Sequence, residues 1–145
     1  MKKVKEIMTA DVAYCTLLDN VYEVAVKMKE LDVGAIPIVN DKLQLAGMIT
    51  DRDIVIRGVA EKHPGSTKVS DIMSDELISI HPDSSVAEAI QLMKKYQVHR
   101  LPVVENNKLV GILALGDVAL ESSFDEKAEE ALTEISEDHH STYLQ

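Results

Sequence analysis

The sequence predicts an α+β fold in which one β-α-β-β-α unit is written twice. Three observations carry this reading. A shift of 65 residues lays "VKEIM" (4–8) on "VSDIM" (69–73) and "VGAIPIV" (33–39) on "VHRLPVV" (98–104). After a one-residue deletion in the second copy, a shift of 64 lays "LAGMITDRDI" (45–54) on "LVGILALGDV" (109–118). Agreement over so many positions marks an internal repeat. Within each copy, an apolar series of helical period precedes two short aliphatic runs separated by a polar turn.

Each element follows from local chemistry. The V-x-x-I-M openings predict a short helical turn, followed by a short strand at "VAYC" (12–15) or "LISI" (77–80). Val21, Val24, Ala25, Met28 and Leu31 repeat as Val86, Ala89, Ile90, Met93 and Tyr96, one face of an amphipathic helix in both copies. "LDN" and "PDSS" supply Asp, Asn or Ser to cap those helices. A strand through Pro follows ("AIPIV", "RLPVV"), then a polar turn ("NDK", "ENNK") and a second strand ("AGMIT", "VGILA"). Pro has no N–H to donate, so Pro37 and Pro102 predict an edge position or a strand start. A final helix begins at "DRDI" or "LGDV". The predicted organisation is repeat 1 over 1–60, a linker over 61–68 containing Pro and Gly, repeat 2 over 69–120, and an acidic helical tail over 121–145. Neither repeat is long enough to bury much core alone, so the two are expected to pack about a pseudo-twofold axis as one module with two related clefts.

The charge distribution narrows the function. The net charge is −10, and residues 121–145 hold eight acids against Lys127, which leaves the first 120 residues at only −3. An acidic surface repels phosphate backbones, so nucleic acid is not an expected partner. No run approaches the ~18 apolar residues of a membrane span, and the start lacks the apolar stretch of a signal peptide. With a single Cys, the expected location is cytoplasmic.

The chemistry concentrates at the junctions between second strand and final helix. A strand ending in Gly47 lets a flat ring approach the backbone. Thr50 stands where strand becomes helix, placing its hydroxyl and the helix N–H groups where a phosphate can meet them. Asp53 is an acceptor suited to ribose hydroxyls; alternatively, Asp51 and Asp53 simply cap the helix and complement its dipole. His99 and Arg100 replace Gly34 and Ala35 in the second copy, and the guanidinium fork fits phosphate oxygens. The alternative pairs Arg100 with a nearby acid and leaves His99 at a strand edge.

In the V-x-x-I-M openings, the two h-P strands and the Gly47-Met48-Ile49-Thr50-Asp51-Arg52-Asp53 element, the chain resembles a stand-alone tandem CBS-domain protein, the family named after cystathionine beta-synthase. The resemblance covers about residues 3–120. It implies a regulatory module that binds an adenosine-containing ligand (AMP, ADP, ATP or S-adenosylmethionine), forms a homodimer, and signals in trans to an effector protein. It also implies a site joining Gly47, Thr50 and Asp53 of the first copy to His99, Arg100 and Pro102 of the second. A second, weaker site would carry Asp117, Gly111 and Pro37, with Ala114 in place of the Thr and no cation. A ligand-free dimerisation scaffold is the competing expectation.

No catalytic or metal constellation is read. Cys15 has no sequence-local base and is expected to be a packed or surface thiol. His63, His81, His99 and the adjacent His139-His140 are scattered. Met8, Met28, Met48, Met73 and Met93 follow the apolar repeat and read as core filler. In the tail, Phe124, Ala128, Ala131, Leu132 and Ile135 recur at helical spacing.

Overall fold

A computed structural model describes residues 2–120 and Ile135. The predicted tail over 121–145 otherwise lies outside the described residues. The fold is α+β, and each repeat supplies strands and helices in the predicted order, except that the first strand of the second copy is reduced to a bridge. The chain divides into two compact units that do not coincide with the sequence repeats. Of the described residues, one unit comprises 13–77 and 106–109; the other comprises 2–12, 78–105, 110–120 and Ile135.

The 13–77 unit is built on a three-stranded sheet of order β1-β2-β3, with β1 Cys15–Thr16, β2 Ala35–Val39 and β3 Leu45–Thr50. β1 runs parallel to β2, and β2 runs antiparallel to β3 with a bulge between Ile38 and Val39. Pro37 therefore sits in the central strand and not at the predicted edge. It is tolerated because β1 pairs only with Ile38 and Val39, leaving that flank of Pro37 without a strand partner. Helix α1 (Val21–Leu31) starts at Asn20, whose Oδ1 accepts from Glu23 N at 2.8 Å while Glu23 Oε1 accepts from Asn20 N at 3.1 Å. Val21, Val24 and Met28 are buried, whereas Leu31 is exposed. Ten residues on, a side chain points about 80° from the first around a 3.6-residue helix, at the margin of the apolar face. The segment after β3 opens as helix α2 (Asp51–Asp53), widens into a π-helical turn over Ile54–Gly58, and closes as a 3₁₀ turn over Val59–Glu61.

The other unit repeats the plan around helix α3 (Val86–Tyr96), the β4-β5 pair (Arg100–Glu105 and Lys108–Ala114) and helix α4 (Leu115–Ala119). Ser85 Oγ caps α3 by accepting from Glu88 N at 3.1 Å. The predicted first strand of this copy shrinks to a single bridge, Ile80 to Val103. The reason lies one step further along. In the first copy the ladder continues because Leu17 N donates to Val39 O. The aligned residue in the second copy is Pro82, which has no proton to give.

The opening turns are exchanged between the copies. Val4–Glu6 belongs to the unit of the second repeat, where Thr9 bridges Ile112 and Val4 lies in the core with Ile90, Met93 and Leu101. Val69–Asp71 belongs to the unit of the first repeat, where Ser74 bridges Met48 and Val69 and Ile72 pack with Val24 and Ile36. Both cores are aliphatic, with Met93 and Met28 inside them. Cys15 is buried in the 13–77 unit, and burial pushes its thiol up to about 11, so it stays protonated at neutral pH.

The N-terminal segment is held by Val4 N to Ser84 O (2.9 Å), Lys5 N to Pro82 O (2.9 Å) and Val86 N to Lys2 O (3.0 Å). An exposed ion pair reinforces it, with Lys5 Nζ 3.0 Å from Asp83 Oδ1. His81 Nδ1 lies 3.9 Å from the other carboxylate oxygen. The hydrogen bond and charge of Lys5 hold the Asp83 carboxyl below its ordinary value, while Asp83 holds Lys5 above its own. Asp83 therefore stabilises the fold above its unfolded pKa, a contribution lost as pH falls through the lowered folded value; the Lys5 contribution is lost only at the alkaline end. Asp83→Asn should flatten the acid limb of a plot of melting temperature against pH. An acid limb identical to wild type would show that this pair contributes nothing.

Candidate functional site

The strand-to-helix junction of the first repeat is a closed local circuit. Thr50 Oγ1 accepts from Asp53 N at 3.0 Å, and Asp53 Oδ2 accepts from Thr50 N at 2.9 Å. This reciprocal box holds the Asp53 carboxylate at the first turn of α2. The capping reading of Asp53 is thus realised, but it does not exhaust the group. An ionised carboxylate has about four lone-pair sites, and Asp53 Oδ1 takes no hydrogen bond from the described residues. Both side chains are half-buried. Asp51, between them, is exposed and accepts from Arg52 N at 2.8 Å.

The corresponding junction of the second repeat is looser. With Ala114 in place of the Thr, one long bond remains, from Ala114 N to Asp117 Oδ2 at 3.4 Å. His99 and Arg100 lie at the start of β4, and His99 O accepts from Leu115 N at 2.7 Å, so strand start and helix start are adjacent. His99 is exposed and Arg100 half-buried. The structure thus brings Thr50 together with Asp53 in one unit, and His99, next to Arg100, together with Leu115 in the other.

Gly47 and Gly111 are each crossed closely by another segment of the chain. A Cβ on Gly47 would stand 2.6 Å from Ser74 O and 2.9 Å from Met73 Sδ; one on Gly111 would stand 2.7 Å from Met8 Sδ and 2.9 Å from Thr9 O. The close approach that glycine permits is made here by the chain's own exchanged segments. Pro37 and Pro102 are both buried in their strands. Among the described residues no group of three or more His, Cys, Asp or Glu is placed to hold a metal ion. None of their helices is long and apolar enough to cross a membrane. Sequence reasoning missed the relation between Gly34 and Asp51. The Asp51 carboxylate lies against Gly34, with Oδ2 3.1 Å from where a Cβ would be.

Two related copies, each a helix, a strand pair and a closing helix with a carboxylate at the same helix start, define a tandem module of the CBS type. The CBS-domain family model matches residues 4–58 and 69–124, and the chain belongs to that family. It is 51% identical over 138 residues to the uncharacterized protein YlbB of Bacillus subtilis, covering 94% of this chain and 93% of the relative. Its fold matches the crystal structure of Hypoxic Response Protein I with two coordinated zinc ions (TM-score 0.78, 33% identity, 83% of this chain and 98% of that one); in Mycobacterium tuberculosis the protein of that name is 35% identical to this chain over 120 residues. It also matches the CBS domain pair of protein MJ0100 in complex with 5′-methylthioadenosine and S-adenosyl-L-methionine (TM-score 0.74, 26% identity, 82% of this chain and 98% of that one).

Proposed function

We propose that this protein is a cytoplasmic regulatory sensor that binds an adenosine-containing ligand between its two CBS repeats and reports occupancy in trans to an effector protein. The observation that carries the reading is the Asp53 carboxylate, held at the helix start by Thr50 with Oδ1 left to accept from a ribose. The adenosine ligands of the MJ0100 pair support the ligand class. His99 and Arg100 are the cations assigned to a phosphate, so that AMP, ADP or ATP is preferred and the first copy's Thr50 and Asp53 act with the second copy's strand start. The junction with Asp117 and Ala114, which keeps a single long bond and has no hydroxyl at position 114, is the weaker site. No residue is given a catalytic role.

Dimerisation belongs to the same reading. Val55, Ile56 and Val59 expose 55%, 47% and 68% of their surface on one short segment, an apolar patch suited to a second copy of the chain. The competing scaffold reading keeps this patch and discards the ligand.

The test is calorimetric titration of AMP, ADP, ATP, S-adenosylmethionine and 5′-methylthioadenosine into wild type, Asp53→Ala and Arg100→Ala, with sedimentation of the same samples and of Ile56→Asp. A charge-assisted hydrogen bond contributes about 1.5–3 kcal/mol, so each binding variant should lose roughly ten- to a hundredfold in affinity. Wild type should sediment as a dimer and Ile56→Asp as a monomer. No heat with any ligand, together with unchanged melting temperatures, would remove the sensor and leave the scaffold.

A further inference from the structure

The two strand starts differ by more than the absence of a cation. Gly34 and His99 do the same backbone work: Gly34 O accepts from Asp51 N at 2.9 Å, as His99 O accepts from Leu115 N at 2.7 Å. The side chains at those helix starts diverge. Leu115 is buried in its core, whereas Asp51 turns outward onto Gly34. Its Oδ2, Cγ and Oδ1 lie 3.1, 3.4 and 3.5 Å from the Cβ that Gly34 lacks. Any larger residue at position 34 would have to displace that carboxylate. Where the second copy carries an imidazole beside a guanidinium, the first copy carries a carboxylate.

The position stabilises the charge. Asp51 is the first residue of α2, where the helix dipole favours an anion, and its Oδ1 accepts from Arg52 N. Asp51 has no ion pair among the described residues. Its negative potential is therefore offered to whatever approaches the Gly34–Ala35 end of β2.

The geometry assigns Asp51 a specificity role. It turns phosphate away from the first-copy strand start, so that the anionic part of an adenosine ligand is admitted only beside His99 and Arg100. A ligand that binds at the Gly34 end must then be neutral or cationic. This inference rests on the adenosine-ligand reading above and adds a rule for which ligand each strand start admits.

The experiment is calorimetric titration of AMP and adenosine into the full chain as wild type, Asp51→Asn and Asp51→Lys, at low and at high salt. Wild type should bind one AMP per chain. Asp51→Asn should raise the ratio of AMP to adenosine affinity at the first-copy end about tenfold at low salt, as expected for removing one charge a few ångströms from a phosphate in a partly solvated site. The gain should shrink at roughly 1 M salt, where screening reaches only about 3 Å. Asp51→Lys should bring in a second AMP per chain. Melting temperatures of the variants confirm that they fold. Wild type binding two AMP per chain, or Asp51 variants with unchanged ratio and stoichiometry, would overturn the role of Asp51 and leave the ligand reading standing. Failure of every variant and of wild type to bind AMP or adenosine would overturn both.

Discussion

Gly47→Ala and Gly111→Ala should each lower stability by about 1–3 kcal/mol, the range for forcing one extra carbon into a packed core. The upper half is expected, because the new methyl at position 47 would meet a backbone oxygen, Ser74 O, at 2.6 Å, and backbone cannot swing aside as a side-chain end can. At position 111 the nearest atom is Met8 Sδ at 2.7 Å, which can move, but Thr9 O follows at 2.9 Å. Gly47→Ala is therefore the more damaging of the two. In a chain of this length, roughly 2–4 °C of melting temperature is lost per kcal/mol. Gly116→Ala is the internal control. Nothing lies within 4 Å of its Cβ position, and alanine in a helix is favoured over glycine by about 0.8–1 kcal/mol. Thermal denaturation of the three variants should rank Gly116→Ala at or above wild type, then Gly111→Ala, then Gly47→Ala. Gly47→Ala melting with wild type would mean that segment 73–74 does not cross β3 as described.

Ile135→Ala should cost about 2–4 kcal/mol, the range for truncating a fully buried aliphatic. Ile135 has no exposed surface and belongs to the core that contains Val4, Ile80, Val86 and Leu101, although it lies in the most acidic stretch of the chain. Ile135→Asp should be worse, since it places an unpaired charge in that core. Leu18→Ala, which trims a side chain 94% exposed and outside the proposed dimer patch, is the surface control. Denaturant unfolding checks this. An Ile135→Ala midpoint equal to that of Leu18→Ala would remove Ile135 from the core, and with it any structural reason for the apolar series in the acidic segment.

The signals that were legible in the sequence are those that act over a few residues. Helical period placed α1 and α3, and the capping residues proved to be Asn20 and Ser85 at matching positions of the repeat. The Thr-x-x-Asp spacing already contained the reciprocal box at Thr50 and Asp53, because a cap is built from atoms three residues apart. The loss of that box at Ala114 was equally visible, and the long Asp117 bond follows from it. The same local logic faltered at proline. It expected an edge at Pro37 and a full first strand in the second copy. Whether a missing N–H matters depends on how far the neighbouring strand extends, which no local pattern records.

By itself the sequence determined the repeat, the element order, the family and the residues at which the two copies differ, since each is written in spacing and residue type. Only the tertiary structure decided which atoms those residues meet. It placed the opening turn of each copy with the other copy, through the Thr9–Ile112 and Met48–Ser74 bridges, and thereby gave Gly47 and Gly111 their role. It also set the Asp51 carboxylate against Gly34. The physical reason is the same throughout. Apolar burial is non-directional and is satisfied by any partner of suitable shape, so sequence pattern states that Val4 and Val69 must be covered without stating by what. Packing at near-crystalline density then admits one arrangement, and that choice is made between segments distant along the chain.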